Sequence, residues 1–261
     1  MILFSANLGF LWKDLALPDA IRAAYRHGFD AVECHWPYDI PSSKVRAALE
    51  DTSLPMLGLN TPLAKGDADN FGLAALPGRE KEAREGVLTA LGYAAEIGAR
   101  GVHVMAGKVE KTPEAEACFL SLLGFAADAA AKQDLEIWIE PINPMDVPGY
   151  YLNHTDAALR LIKAIDAPHL GLMFDCYHIA KQGGDVLREL DQCWPYIRHI
   201  QIAGVPDRGE PHDSTVSYEN LCRDLLARGY QGYLGAEYRP QKSVEQGLGW
   251  LSDLRQTLSE V

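Results

Sequence analysis

The chain has no excess of positive charge, no long apolar run and few cysteines, and each lack removes a class of function. Lysine and arginine number 24 against 36 aspartates and glutamates, a formal net charge of −12. Gripping a nucleic-acid backbone takes clustered Lys and Arg, so no nucleic-acid partner is expected. No apolar run approaches the ~20 residues that span a bilayer, so no membrane association is expected either. The opening MILFSANLGFLWKDL has no basic n-region and meets Asp14 early, so it does not read as a signal peptide. The cysteines are Cys34, Cys118, Cys176, Cys193 and Cys222. They are odd in number and scattered, with no C-x-x-C pair, which argues against a disulfide framework or a zinc knuckle. A soluble protein of the reducing cytoplasm is the natural expectation. No Pro/Gly/Ser-rich linker divides the 261 residues. A glycine-rich phosphate turn is missing too. Ala6-Asn7-Leu8-Gly9-Phe10 ends the first apolar run, where a dinucleotide-binding doubly wound sheet normally carries such a turn.

What is present is an alternation. Short β-rich runs cover 2–8, 31–36, 55–60, 101–106, 136–142, 170–175, 197–203 and 233–238. Several are nearly continuous apolar runs, the pattern of parallel strands covered by helices. Between them lie amphipathic stretches such as 79–97 and 113–132, with apolar residues at helical spacing. Gly28, Gly98 and Gly229 follow such stretches, where a left-handed C′ residue ends a helix. Eight units of about 33 residues predict one (β/α)₈ TIM barrel over 1–261, since ~250 residues is the usual length of that fold. The long irregular stretch 61–78, TPLAKGDADNFGLAALPG, is of a length expected for a lid or part of a site.

In such a barrel, chemistry sits at the C-terminal ends of the strands. The polar residues there are Asn7, Glu33, His35, Asn60, His103, Glu140, Asp175, Gln201 and Glu237. The last four are separated by 35, 26 and 36 residues, each about one βα unit, so they recur at similar height and point into one cup. Three carboxylates crowded there would raise one another's pKa, and a divalent cation removes that conflict. An all-oxygen donor set suits Mg²⁺ or Mn²⁺ better than zinc. Each carboxylate taken alone suits helix capping or an arginine ion pair equally well.

The remaining candidates are substrate-binding. His178, three residues after Asp175 in FDCYH, is placed to bind substrate or shuttle a proton. His103 in GVHVMAG suits a barrel-core role as well as a site role. Asn60 ends the third run, and Arg208 sits in the turn AGVPDRGEP. A guanidinium there could clamp a substrate carboxylate, or be an ordinary surface arginine. His199 shares the face of Gln201 by alternation and would support the layer beneath it. Trp12 and Trp36 are expected to line the cup or the core, and His35 carries no assigned role.

The motifs IEPIN (139–143), FDCYH (174–178), HIQIA (199–203) and GAEY (235–238) together resemble the hydroxypyruvate isomerase family of xylose-isomerase-like barrels. The segments FSANLGFLW, FDAVECHWPYD, GLAALPGRE, HVMAGKV and EQGLGWL extend the resemblance over almost the whole chain. The 2-oxo-tetronate isomerases share most of these motifs. The resemblance implies a divalent metal, Mg²⁺ or Mn²⁺, on Glu140, Asp175, Gln201 and Glu237. It also implies that Glu140 and Glu237 are the acid–base pair. The implied reaction interconverts hydroxypyruvate and tartronate semialdehyde through a cis-enediolate, by proton transfer between the two glutamates. A homo-oligomer is implied as well.

Two loops depart from the family pattern. Asn60-Thr61-Pro62-Leu63-Ala64-Lys65-Gly66-Asp67 stands where the family reads like N-x-P-x-G-D-W. Arg208-Gly209-Glu210-Pro211 matches, but the following G-E-I-N-Y is replaced by His212-Asp213-Ser214-Thr215-Val216-Ser217-Tyr218.

Other readings keep the barrel and change the chemistry. A 2-oxo-tetronate isomerase or a ketose 3-epimerase would use the same metal site on another small hydroxy-oxo acid or sugar. A phosphodiesterase related to the AP endonucleases would want several histidine zinc ligands and a basic face, which −12 opposes. A sugar-binding protein without catalysis would have no need for both Glu140 and Glu237.

Overall fold

The computed structural model describes residues 2–212 and 214–259. Eight parallel strands form the barrel: β1 (Leu3–Asn7), β2 (Ala31–Glu33), β3 (Gly58–Asn60), β4 (Gly101–His103), β5 (Glu136–Ile139), β6 (Leu170–Asp175), β7 (Ile197–Ile202) and β8 (Tyr233–Ala236). The helices are α1 (Leu17–Arg26), α2 (Ser42–Thr52), α3 (Glu80–Ile97), α4 (Pro113–Ala131), α5 (Thr155–Ile165), α6 (Cys176–Lys181), α7 (Val186–Cys193), α8 (Tyr218–Ala227), α9 (Val244–Gly247) and α10 (Gly249–Ser259). Strands neighbour one another in the order β2-β1-β8-β7-β6-β5-β4-β3. A parallel bridge between Val32 and Met56 joins the two ends. There the Val32 N–H donates to Pro55 O (3.0 Å) and the Leu57 N–H to Val32 O (2.7 Å).

The expected helices 79–97 and 113–132 are α3 and α4. Thr112 caps α4, its Oγ1 accepting from the Ala115 N–H, and Pro113 at the first turn lacks the N–H that would be orphaned there. Gly98 ends α3 with φ 70°, and Gly28 and Gly229 also take positive φ. All eight expected strands form, but several stop short of their apolar runs. Beyond Val104, whose N–H still reaches Trp138 O of β5 (2.9 Å), and beyond Ile139, the chain stays buried while its hydrogen bonds turn to loops. The Met105 N–H donates to Thr61 Oγ1 (3.2 Å) and the Ala106 N–H to the Tyr150 hydroxyl (3.0 Å). The apolar runs therefore mark burial, and the strand is only the part of each run that finds a ladder partner.

Trp138 fills the barrel interior below the mouth. A Cβ on Gly58 or Gly101 would lie 2.4 or 2.7 Å from its ring, so two neighbouring strands give up their side chains to make room. The ring stacks on His199, with centroids 5.5 Å apart at 20°, as expected for a histidine supporting the layer under the cup.

The segment 61–78 is tied down rather than hanging free over the mouth. The Thr61 N–H donates to His103 O (2.9 Å), Ala75 N–H to Ala106 O (2.8 Å) and Lys108 N–H to Asn70 O (2.9 Å). Gly72 also bridges Ala106. Among the described residues, no helix is long and apolar enough to cross a membrane.

Candidate active site

Glu140 and Glu237 directly follow β5 and β8. Asp175 ends β6 opposite Gln201 of β7, and Gln201 lies opposite Gly235 of β8. The strand-end spacing thus brings all four to one rim. Each is buried. Ligand atoms of Glu140, Asp175, His178 and Glu237 lie within 4.8 Å of one another.

Four buried side-chain polar atoms lack a hydrogen-bond partner among the described residues: Glu140 Oε1, Asp175 Oδ2, Gln201 Oε1 and His103 Nε2. Leaving a buried polar atom unpaired costs about 1–3 kcal/mol. Three of the four are oxygens of residues expected to hold a metal. A cluster of converging, unpaired, buried oxygens fits a divalent cation.

The chain's own charges set the carboxylates apart. Burial drives the Glu140 carboxyl well above its ordinary range, with the charges of Glu237 and Asp175 adding to the effect. Burial lifts Asp175 to about 7, although Arg208 pulls the other way. Burial also pushes Glu237 upward, but the Arg208 charge and the His35 hydrogen bond outweigh it and hold it down at about 2. Arg208 Nη2 donates to Glu237 Oε2 (2.6 Å) and lies 3.6 Å from Asp175 Oδ2. Asn7 Nδ2 donates to Glu237 Oε1 (3.0 Å), and His35 Nε2 lies 3.2 Å from the same oxygen.

Arg208 is not a surface arginine. It is buried between Phe10 and Tyr177, its Cζ 4.8 and 5.1 Å from their ring centroids. Its fork points into the cup, and one of its arms is committed to Glu237.

His178 is held by a residue that motif reading left without a role. The Asp146 N–H donates to Asn143 Oδ1 (2.9 Å), which turns the Asn143 amide nitrogen toward His178 Nδ1 (2.7 Å). The Asn143 backbone N–H also points at that nitrogen (3.3 Å). Nδ1 therefore accepts, and the proton sits on Nε2. Burial and Arg208 keep the ring well below its ordinary pKa, so it is neutral. Nε2–H faces Glu140 Oε1 and Asp175 Oδ2 at 3.4 and 3.5 Å. In this tautomer His178 offers an N–H into the cup. His103 Nδ1 lies 3.2 Å from Asn60 Oδ1 and 3.6 Å from Glu140 Oε2.

These groups border a cavity of about 80 Å³ whose apolar walls include Phe10, Trp36, Phe71 and Met105. Asn60, His103, His178 and Arg208 all line it. Trp12 lies apart from it, its Nε1–H donating to Glu245 Oε1 (2.7 Å). The segment 61–78 contributes Phe71, held in the left-handed region at φ 55°. None of the described residues in 212–218 lines the cavity, and Asp213 lies outside the described residues. Asn7, Glu33 and His35 appear among the strand-end polar residues, but their partners were not readable there. Asn143 was visible only as the last letter of IEPIN, and Phe71 carried no signal.

A family model described as a xylose isomerase-like TIM barrel matches residues 21–254. The chain is 41% identical to the 2-oxo-tetronate isomerase of Cupriavidus necator, over 95% of this chain and 96% of that protein. It is 33% identical to the hydroxypyruvate isomerase of Escherichia coli, over 98% and 100%. A Brucella melitensis structure described as an AP endonuclease of family 2 superposes with a TM-score of 0.93 at 33% identity, covering 97% of this chain and 99% of that one. The 3-keto-D-glucoside 4-epimerase of Escherichia coli, 21% identical with a TM-score of 0.80 over 98% and 99%, shares the fold. The chain belongs to the xylose isomerase-like TIM barrels, and within them to the family of hydroxypyruvate and 2-oxo-tetronate isomerases.

Proposed function

We propose that this protein is a divalent-metal-dependent isomerase that interconverts hydroxypyruvate and tartronate semialdehyde by moving a proton between adjacent carbons. The observation that carries the reading is the trio of buried, unpaired oxygens on Glu140, Asp175 and Gln201 beside Glu237. These four residues would hold the ion, and oxygen donors favour Mg²⁺ or Mn²⁺. Bound there, a divalent cation supplies Lewis-acid polarisation of the substrate's carbonyl and hydroxyl oxygens.

The chain does the rest. Glu237, held ionised by Arg208 and His35, is the base that takes the carbon-bound proton. Glu140, which like Glu237 would give one oxygen to the ion and keep the other for the substrate, is its partner, and the two exchange roles in the reverse direction. His178 Nε2–H and the Arg208 guanidinium, which line the cavity, orient the substrate's oxygens. Asn60 and His103 complete its polar wall. Phe10, Trp36 and Phe71 exclude water.

The cavity favours a small substrate. One water needs about 10–15 Å³ of such space, so 80 Å³ takes only a handful of heavy atoms. That accommodates a three- or four-carbon acid. A second reading, 2-oxo-tetronate isomerisation by the same residues, is supported by the higher identity to the Cupriavidus necator relative. We place the reaction in the cytoplasm, carried out by a homo-oligomer.

The test is an NMR assay in deuterated buffer on chelator-stripped protein with Mg²⁺ or Mn²⁺ restored, comparing hydroxypyruvate, a 2-oxo-tetronate and a ketose panel. Metal-dependent conversion of hydroxypyruvate with deuterium entering the product is the expected result. Conversion without label uptake under any condition would reject the proton-transfer mechanism. Exclusive conversion of the four-carbon acid would select the second reading.

A further inference from the structure

Beneath the rim lies a polar cluster that the reaction above does not use. Glu33, at the end of β2, is buried and accepts hydrogen bonds from three side chains. Ser5 Oγ donates to its Oε1 (2.8 Å). His199 Nε2 lies 3.1 and 3.2 Å from its two oxygens. Gln201 Nε2 donates to its Oε2 (2.8 Å). The cluster is packed closely enough to require a glycine across from it. A Cβ on Gly235 would lie 2.3 Å from Glu33 Oε1, 2.7 Å from His199 Nε2 and 3.0 Å from Gln201 Cγ.

An amide side chain has two ends of nearly the same shape and opposite polarity, and only the oxygen can bind a cation. Something must decide which end faces the cup. A carboxylate can only accept. Opposite Glu33, the Gln201 amide must therefore present its NH₂ downward, which leaves Oε1 buried and unpaired on a residue that lines the same cavity as Glu140 and Glu237. We propose that Glu33 is the positioning residue that makes Gln201 an oxygen ligand, by holding the nitrogen end of its amide. This rests on the metal site assigned above.

The inference has a sharp chemical consequence. Glu33→Gln is isosteric, and its own oxygen would stay with the donors Ser5 and His199. Its NH₂ would then fall against the Gln201 NH₂. Turning the Gln201 amide over relieves that clash and puts nitrogen where the ion should bind. The double variant Glu33→Gln/Gln201→Glu removes the conflict, because residue 201 then offers oxygen at both ends. Ser5→Ala serves as the control. It loosens Glu33 but leaves an acceptor-only group facing Gln201.

The experiment titrates Mn²⁺ into each purified full-length variant, with free ion read by electron paramagnetic resonance, alongside a thermal melt. E33Q is expected to weaken Mn²⁺ binding 10–100-fold, the usual scale for removing an outer-shell partner, with a melt close to the parent's. The double variant should recover to within a few-fold of the parent, and S5A should stay within about threefold of it. Parent-like Mn²⁺ affinity in E33Q overturns the proposal. So does a loss in S5A equal to that in E33Q, since that would make the effect one of layer packing. A parent that binds no Mn²⁺ rejects the metal site itself, an outcome distinct from both. One measurement needs no variant: in the Mg²⁺-loaded parent, the Gln201 side-chain NH₂ protons should exchange slowly with solvent. Rapid exchange would overturn the proposal.

Discussion

Glu140 and Glu237 carry the same carboxyl group in opposite electrostatic settings, and the difference is made by single side chains. Replacing either with glutamine should lower kcat by about 10²–10⁴, the usual scale for general acid–base catalysis, and Glu237→Gln should also lower the thermal melt, because the buried Arg208 loses its nearest carboxylate. Steady-state assays beside differential scanning calorimetry check this, and near-parental turnover in either variant would remove it from the acid–base pair. His103 gives a second residue-scale expectation. Burial lowers its pKa from 6.5 to about 4, so between those values the unfolded chain binds the proton and the folded chain does not. Stability therefore falls as pH drops from 6.5 toward 4, by roughly 3 kcal/mol for this group alone. His103→Gln should flatten that slope in urea titrations across the window, and an unchanged slope would refute the assignment. At this scale the sequence was informative where strand-end spacing repeats and silent where orientation matters. Glu140, Asp175, Gln201 and Glu237 stand out by position alone. The burial of Arg208 does not, because VPDRGEP has the composition of an exposed turn. Nor does the direction of the Gln201 amide, which depends on a partner 168 residues away.

Strands and loops show a different division. Burial was legible in the apolar runs, whereas strand length was not, because ladder pairing depends on neighbours that no local window contains. The stretch 61–78 reads as irregular because it has no period. In the fold it is a wall, fastened to the β4–α4 connection by main-chain bonds. The amides of Ala75 in the stretch and of Lys108 in that connection should be protected in hydrogen exchange both with and without substrate. Exchange as fast as in an open loop would mean that the stretch detaches. On β8, Gly235 is squeezed against Glu33, His199 and Gln201. Gly235→Ala should cost about 1–3 kcal/mol by overpacking, seen as a lower urea midpoint at unchanged slope.

For the molecule as a whole, the proposed ion joins residues on or beside four consecutive strands, which come together only in the closed barrel. Saturating Mn²⁺ at about a hundred times its dissociation constant should raise unfolding free energy by about 2.7 kcal/mol. For a chain of this size that is a melting shift on the order of 5–10 °C, and a melt indifferent to Mn²⁺ and chelator would count against the site. The fold was the most legible level, since eight strand–helix units of even length leave few architectures, whereas closure across β2 and β3 was visible only in three dimensions. The rim itself is divided along the chain. The residues that would hold the ion and carry the proton lie between 140 and 237, while Phe10, Trp36, Asn60, Phe71 and Met105 wall the cavity from the first half. The first half thus supplies much of the cavity wall, while the second half supplies the proposed reacting groups together with His178 and Arg208. A hybrid joining the first half of a relative with another substrate to the second half of this chain should shift its preference toward the donor's, while its chemistry and the polar grip of His178 and Arg208 stay with the acceptor. Asn7 and His35, which reach across the join to Glu237, are the stitches such a graft would have to keep.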